Sequence, residues 1–229
     1  MATLDAPAQM PPELQLEQPP TVNNLIAQIN DWIIYHLLRT LESDIHYENQ
    51  LYGPISSFLT SIFPSRRRYM LIPQAIFRRT MSDSEVAEDL ANVSIGSTGA
   101  FHESRDFAGV EHFKQFPDFV TVKVTPQPGI DRDHHIVCVV EVKRNNDTEA
   151  KAVEQMEAYM EQAANLPKRE ESLRGYLVMG NMVRTFWLQD DGEGVEVKIA
   201  EQAFAMSAPG DQFTRELCEI SIRNWNYQS

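Results

Sequence analysis

The chain has 229 residues, 42% of them hydrophobic and 23% charged, with a formal net charge of −13. This suits one globular domain with a full core, and it argues against a protein that coats nucleic acid by charge alone, which needs a basic surface. No apolar run reaches the roughly 20 residues of a membrane-spanning helix, and no secretory leader is visible, so a non-membrane, intracellular protein of the nucleus or cytoplasm is expected.

Residues 1–22 carry Pro7, Pro11, Pro12, Pro19 and Pro20 and few large apolar side chains, the composition of a disordered or extended lead-in. The remainder, 23–229, shows no internal repeat and reads as one domain. From 23 to 43, Leu25, Ile26, Ile29, Ile33, Leu37 and Leu41 recur near the helical period and predict a helix. A second helix is expected over 46–62, with Leu51, Ile55, Phe58, Leu59 and Ile62 on its apolar face. Gly53-Pro54 is a potential break inside it, and Pro64 ends it. Residues 69–78 suit a strand that Pro73 confines to an edge or makes irregular. The pattern is weakest over 80–113, where Ser84–Ala91 suits a short helix and 94–99 is turn-rich. The Gly96-Ser97-Thr98-Gly99 segment lacks the lysine of a phosphate-binding loop.

Beyond Phe116 the pattern sharpens. Phe119, Val120, Val122 and Val124 predict a strand, 126–133 is turn material, and 134–142 is strongly β-forming. Cys138 lies inside that apolar run and reads as a buried, reduced thiol; neither it nor Cys218 has zinc-site spacing. A helix over 148–164, strands at 175–179, 183–188 and 195–199, and a helix over 210–224 complete the chain. The order gives an α/β or α+β sandwich with a mixed central β-sheet flanked by helices.

Chemistry concentrates on the hairpin. Asp118 and Glu141 are equidistant from the centre of the 126–133 turn, so regular antiparallel pairing sets them opposite one another, with Cβ atoms about 4.5–5.5 Å apart. Lys143, two residues on, shares that face. A bulge would shift this register. Two carboxylates suit Mg²⁺ or Mn²⁺, which keep waters, and one such water can be activated as a nucleophile. The lysine can orient that water or stabilise developing negative charge. The plain alternative is a surface Glu–Lys pair near a solvated Asp. Pro117 and the apolar run Val137-Cys138-Val139-Val140 instead place these charges where a strand meets the core.

Phe116-Pro117-Asp118 followed by Glu141-Val142-Lys143 resembles the motif of the PD-(D/E)xK nuclease superfamily. The resemblance implies an α/β, restriction-endonuclease-like core over 23–229. It implies that Asp118 and Glu141 ligate the metal with the Val142 carbonyl, and that Lys143 is the catalytic lysine. Gln155 and Tyr159 are similar to the Q-x-x-x-Y motif of the RecB-like branch, four apart and hence on one helical face. Packing of Tyr159 in the core is an equal alternative. Glu48, early in a predicted helix, matches members that add a helical glutamate to the metal site; a solvated glutamate is its plain alternative.

The implied function is metal-dependent hydrolysis of phosphodiester bonds in DNA, or in RNA. The rival is a catalytically silent module of the same fold that binds nucleic acid or protein, which the acidic balance favours. The Arg66-Arg67-Arg68 run, with Arg78 and Arg79 nearby, reads as a solvated face rather than a backbone track. His134 and His135 open the active strand without visible metal partners; His36, His46, His102 and His112 are unassigned, and no Ser/His/Asp signature is present.

Overall fold

The most apolar strand of the sequence needs cover on both faces, and the fold supplies it. A computed structural model of the chain describes residues 17–43, 45, 47–75, 77–78, 114–115, 117–124, 134–166, 168–192, 194–207 and 210–227. The expectations for 80–113, the 126–133 turn, Phe116, Arg79 and His46 lie outside these residues, as does most of the 1–22 lead-in. The helices are α1 (Val22–Gln28), α2 (Asp31–Glu42), α3 (Tyr52–Ile62), α4 (Glu149–Ala164) and α5 (Gln212–Arg223), with 3-10 turns at Glu48–Leu51 and Ser65–Arg67. The strands are β1 (Tyr69–Pro73), β2 (Phe77–Arg78), β3 (Lys114–Gln115), β4 (Phe119–Lys123), β5 (His135–Lys143), β6 (Arg169–Met179), β7 (Met182–Asp190), β8 (Val195–Ile199) and β9 (Phe204–Ala205).

The main sheet runs β1-β4-β5-β6-β7-β8, with β9 also on β7, while β2 and β3 form a separate ribbon. It is a mixed sheet in an α/β fold: β5 and β6 are parallel and the other pairs antiparallel. The parallel pair requires a crossover, which α4 makes. One sheet face, with Val140, Val142, Tyr176 and Val178, packs against α1, α2, α3 and α5. The other, with Val120, Val139, Leu177 and Phe186, packs against Met156, Tyr159 and Met160 of α4. Gly175 permits that approach, since a Cβ there would stand 2.1 Å from Met156 Cε.

Several boundaries differ from the periodicity. The helix expected over 23–43 is two, because Ile29 and Asn30 are extended and a new helix starts after Asn30, whose carbonyl accepts from the Ile33 amide. The helix expected over 46–62 opens as a 3-10 turn and continues through Gly53-Pro54 unbroken. Pro54 lies in the first turn of α3, where amides have no intrahelical partner to lose. The 69–78 strand stops at Pro73, on the edge of the sheet. At the end of the proline-rich lead-in, the Glu17 carboxylate lies 3.3 Å from Arg67. Arg67 is 4% exposed, so its run is not simply a solvated face.

Candidate active site

β4 and β5 pair Phe119 with Val140, Val120 with Val139 and Thr121 with Cys138. Continued one step, this register sets Asp118 opposite Glu141, as the symmetry of the hairpin predicts. The irregularity falls on the other side, where Val122 pairs with Ile136 and Val137 becomes the extra residue of a bulge. Alternation from Val120 and Val139, both in the α4-side core, turns Asp118, Glu141 and Lys143 to that same face. The cluster forms where β4 begins and β5 ends.

The contacts there are close. Asp118 N–H donates to Glu141 Oε2 at 3.0 Å, and Val142 N–H donates to Asp118 Oδ2 at 2.8 Å. Lys143 Nζ stands 2.6 Å from Glu141 Oε1 and 3.5 Å from Glu48 Oε1. Glu48, on the 3-10 turn, thus reaches the site from the opposite helical layer. Tyr52, four residues later, donates its hydroxyl to Asp118 Oδ1 and lies 3.5 Å from Glu48 Oε1. Its ring meets Phe119 edge-on at 5.3 Å, which fixes where the hydroxyl points. Asp118 and Glu141 are 4% and 1% exposed.

Three carboxylates and one ammonium share this space. Burial, with Asp118 close by, pushes the Glu141 carboxyl up to about 7. Burial also raises Asp118, against the opposing bonds from Tyr52 and Val142, and it raises Glu48, with Asp118 adding to the effect. For Lys143, burial works against the charge, but the bond to Glu141 and the fields of Glu141, Glu48 and Asp118 outweigh it and hold the ammonium firmly protonated.

Gln155 and Tyr159 lie on α4 as expected, and the Gln155 amide donates to the Tyr159 hydroxyl. Tyr159 is buried in the α4-side core. Burial, then the Glu141 charge, raises its hydroxyl, so the residue both packs and borders the acids. The Val142 side chain is buried in the opposite core, and its amide holds Asp118. Tyr52 was not among the expected site residues; its i+4 spacing from Glu48 was the available signal.

The donor set suits a hard divalent cation: carboxylate oxygens from three elements converge, and burial favours their protonation. As the side chains stand, no group of three or more His, Cys, Asp or Glu among the described residues is arranged to hold an ion. Both oxygens of Asp118 and both of Glu141 are engaged, and Lys143 is the cation shared by Glu141 and Glu48. Set against known proteins, the chain matches no family model and no curated protein. Among the described residues, no helix is long and apolar enough to cross a membrane.

Proposed function

We propose that the chain is a metal-dependent nuclease with a restriction-endonuclease-like core, hydrolysing phosphodiester bonds in DNA or RNA in the manner of the PD-(D/E)xK superfamily. One observation carries the reading: Asp118, Glu141 and Lys143 meet in a buried cluster at one end of an antiparallel strand pair, with more carboxylates than cations. Asp118, Glu141 and Glu48 would hold Mg²⁺ or Mn²⁺, with the Val142 carbonyl as a further ligand. Such an ion supplies an acidified water and charge stabilisation at the phosphoryl oxygens. Lys143, always charged here, orients the water or balances charge on the phosphoryl group. Tyr52 fixes Asp118 from one layer. Tyr159, set by Gln155, backs the acids from the other. The free thiols of Cys138 and Cys218 agree with a reducing compartment, nuclear or cytoplasmic.

The test is cleavage of labelled DNA and RNA oligonucleotides in Mg²⁺ or Mn²⁺ by the wild-type chain and by Asp118→Asn. Cation-dependent products from the first and none from the second are expected. Equal cleavage by both, or none by either, contradicts the assignment. The catalytically silent binding module is favoured by the net charge of −13 and by the occupied carboxylate oxygens. It predicts stoichiometric binding of nucleic acid or protein that ignores the metal.

A further inference from the structure

The rows of side chains that carry Glu141 and Lys143 continue across the sheet. Glu141 pairs with Leu177 and Lys143 with Met179 on β6. Leu177 in turn pairs with Arg184, and Met179 with Met182, on β7. Opposed side chains share a face, and Leu177 belongs to the α4-side core. These four residues line an open groove of about 580 Å³, the size of a small-ligand pocket. With strands about 4.8 Å apart, Met179 lies one strand and Met182 two strands from the Lys143 column.

The charge of this groove limits what it can receive. Among the described residues, Arg184 is the one cation lining it. Its Nη2 stands 2.5 Å from Glu149 Oε1, and its Nη1 donates to the Ala200 and Glu201 carbonyls at 3.2 and 3.4 Å. Glu201 adds a second carboxylate. A phosphate would meet a guanidinium already neutralised and an extra negative charge. What the groove offers instead is two thioethers over the buried Leu177, edged by the amides of Asn145 and Gln202. Met182 is 40% exposed, so this surface is open. Thioethers favour aromatic rings, and side-chain amides match the donor and acceptor edges of bases.

Asn145 is held in place by the β6–β7 turn. Gly180 has φ +55°, and a Cβ there would stand 1.6 Å from Asn145 Oδ1. The Gly180 amide donates to the Lys143 carbonyl at 3.4 Å, which ties the turn to the end of the active strand. The amide edge of the groove and the proposed catalytic lysine are therefore positioned together.

We propose that this groove receives an unpaired nucleobase flanking the scissile phosphate, so that the substrate is single-stranded or frayed nucleic acid. The inference rests on the nuclease reading above. A base within a duplex has its faces stacked and its edge paired, and it must give up both to leave that stack. A strand already free of its partner reaches Met179 and Met182 without that cost.

The experiment compares kcat/KM, with Mn²⁺ present, on one labelled oligonucleotide as a single strand, as a blunt duplex, and as a single strand made abasic at the nucleotide flanking the cut. The wild-type chain and Met182→Ala are assayed on each. The wild type should favour the single strand over the duplex by tenfold or more. Removing the base should cost it about two- to tenfold. Met182→Ala should lose a similar factor on the intact strand, mainly through KM, and lose nothing further on the abasic strand. Equal cleavage of strand and duplex, an abasic strand cut as well as the intact one, or additive losses would overturn the inference while leaving the nuclease reading standing. Failure to cleave any substrate would overturn both. The abasic comparison in the wild type needs no altered protein, so poor folding of the variant would not blunt the test.

Discussion

The two ends of the β4–β5 pair both bury charge, with opposite arrangements. At one end, Asp118 and Glu141 converge with Glu48, and Lys143 is the ammonium between Glu141 and Glu48. At the other, Lys123 is 2% exposed and donates to the carbonyls of Arg67 at 2.6 Å and Trp225 at 3.0 Å. Its ammonium lies 4.2 Å from the centre of the Tyr69 ring. Arg67 donates to the same Trp225 carbonyl and to Asn226 Oδ1. Beside them His135 stacks on Tyr227 at 4.0 Å. Burial, with Arg67 and Arg68 nearby, lowers Lys123 to about 8. Burial of charge alone therefore does not mark a site. The basic end spends its donors on fixed backbone carbonyls and pins the end of the chain to the sheet. The acidic end gathers like charges whose repulsion a cation would relieve.

Substitutions should separate the two ends. The largest effect is expected from Glu141→Gln and Lys143→Met. Each should lower cation-dependent cleavage by several kcal/mol of transition-state stabilisation, on the order of a thousandfold, in a protein that still folds. Combining them should cost little more than either alone, because the residues act as a unit. Single-turnover cleavage by purified variants of verified circular dichroism measures this. Near-normal rates would remove the distinction between the ends.

Lys123→Met should do the reverse. Leaving buried carbonyls short of a donor should cost about 2–3 kcal/mol of stability in urea unfolding. Cleavage per folded molecule should remain unchanged. A cleavage loss larger than the unfolded fraction would mean the basic end takes part in function.

How far the sequence carries this contrast depends on range. The acidic end was legible because Asp118, Glu141 and Lys143 lie on one hairpin, where turn symmetry and strand alternation fix their faces. The bulge at Val137 lies between the site and the loop and shifts the pairing by one residue, so the site-side pairs share the centre of 126–133 while the loop-side pairs, Val122 with Ile136 and Lys123 with His135, do not. Glu48 and Gln155/Tyr159 could be placed by motif order, but only the packing of two layers shows that they approach the acids from opposite sides. Tyr52 offered only its i+4 spacing from Glu48, and nothing local points its hydroxyl at Asp118, 66 residues along the chain. The basic end was not legible at all. Its contacts join Arg67 to Lys123 and both to Trp225, separations that no local periodicity reports.

A smaller effect should appear in the pH dependence of metal-free stability. Glu141 rises from an ordinary 4.5 to about 7 on folding. Between those values the folded state holds a proton that the unfolded state has released. The stabilising contribution is therefore full below about 4.5 and is lost as pH rises through about 7. Asp118 and Glu48 shift in the same direction. Urea midpoints of the wild type measured across this range should fall with rising pH, and Glu141→Gln should flatten the slope. Saturating Mg²⁺ should restore stability at the upper end. A midpoint that rises steadily across the same range without metal would contradict the crowded-acid description.

The smallest expected effect is that of Tyr159→Phe. The ring is buried and only its hydroxyl reaches Gln155. Stability should change by about 1 kcal/mol or less. Cleavage should drop less than tenfold, far short of the effect at Glu141. A drop as large as that of Glu141→Gln would move Tyr159 from backing the acids into the chemistry itself.

The acidic end, and not the basic end, is expected to take a divalent cation. Anomalous diffraction from crystals soaked in Mn²⁺ locates that cation. A peak is expected within about 2.0–2.4 Å of carboxylate oxygens of both Asp118 and Glu141, with the Lys143 ammonium moved off Glu141. Well-ordered crystals in which Mn²⁺ does not bind these oxygens, and Lys143 keeps its place on Glu141, would contradict it.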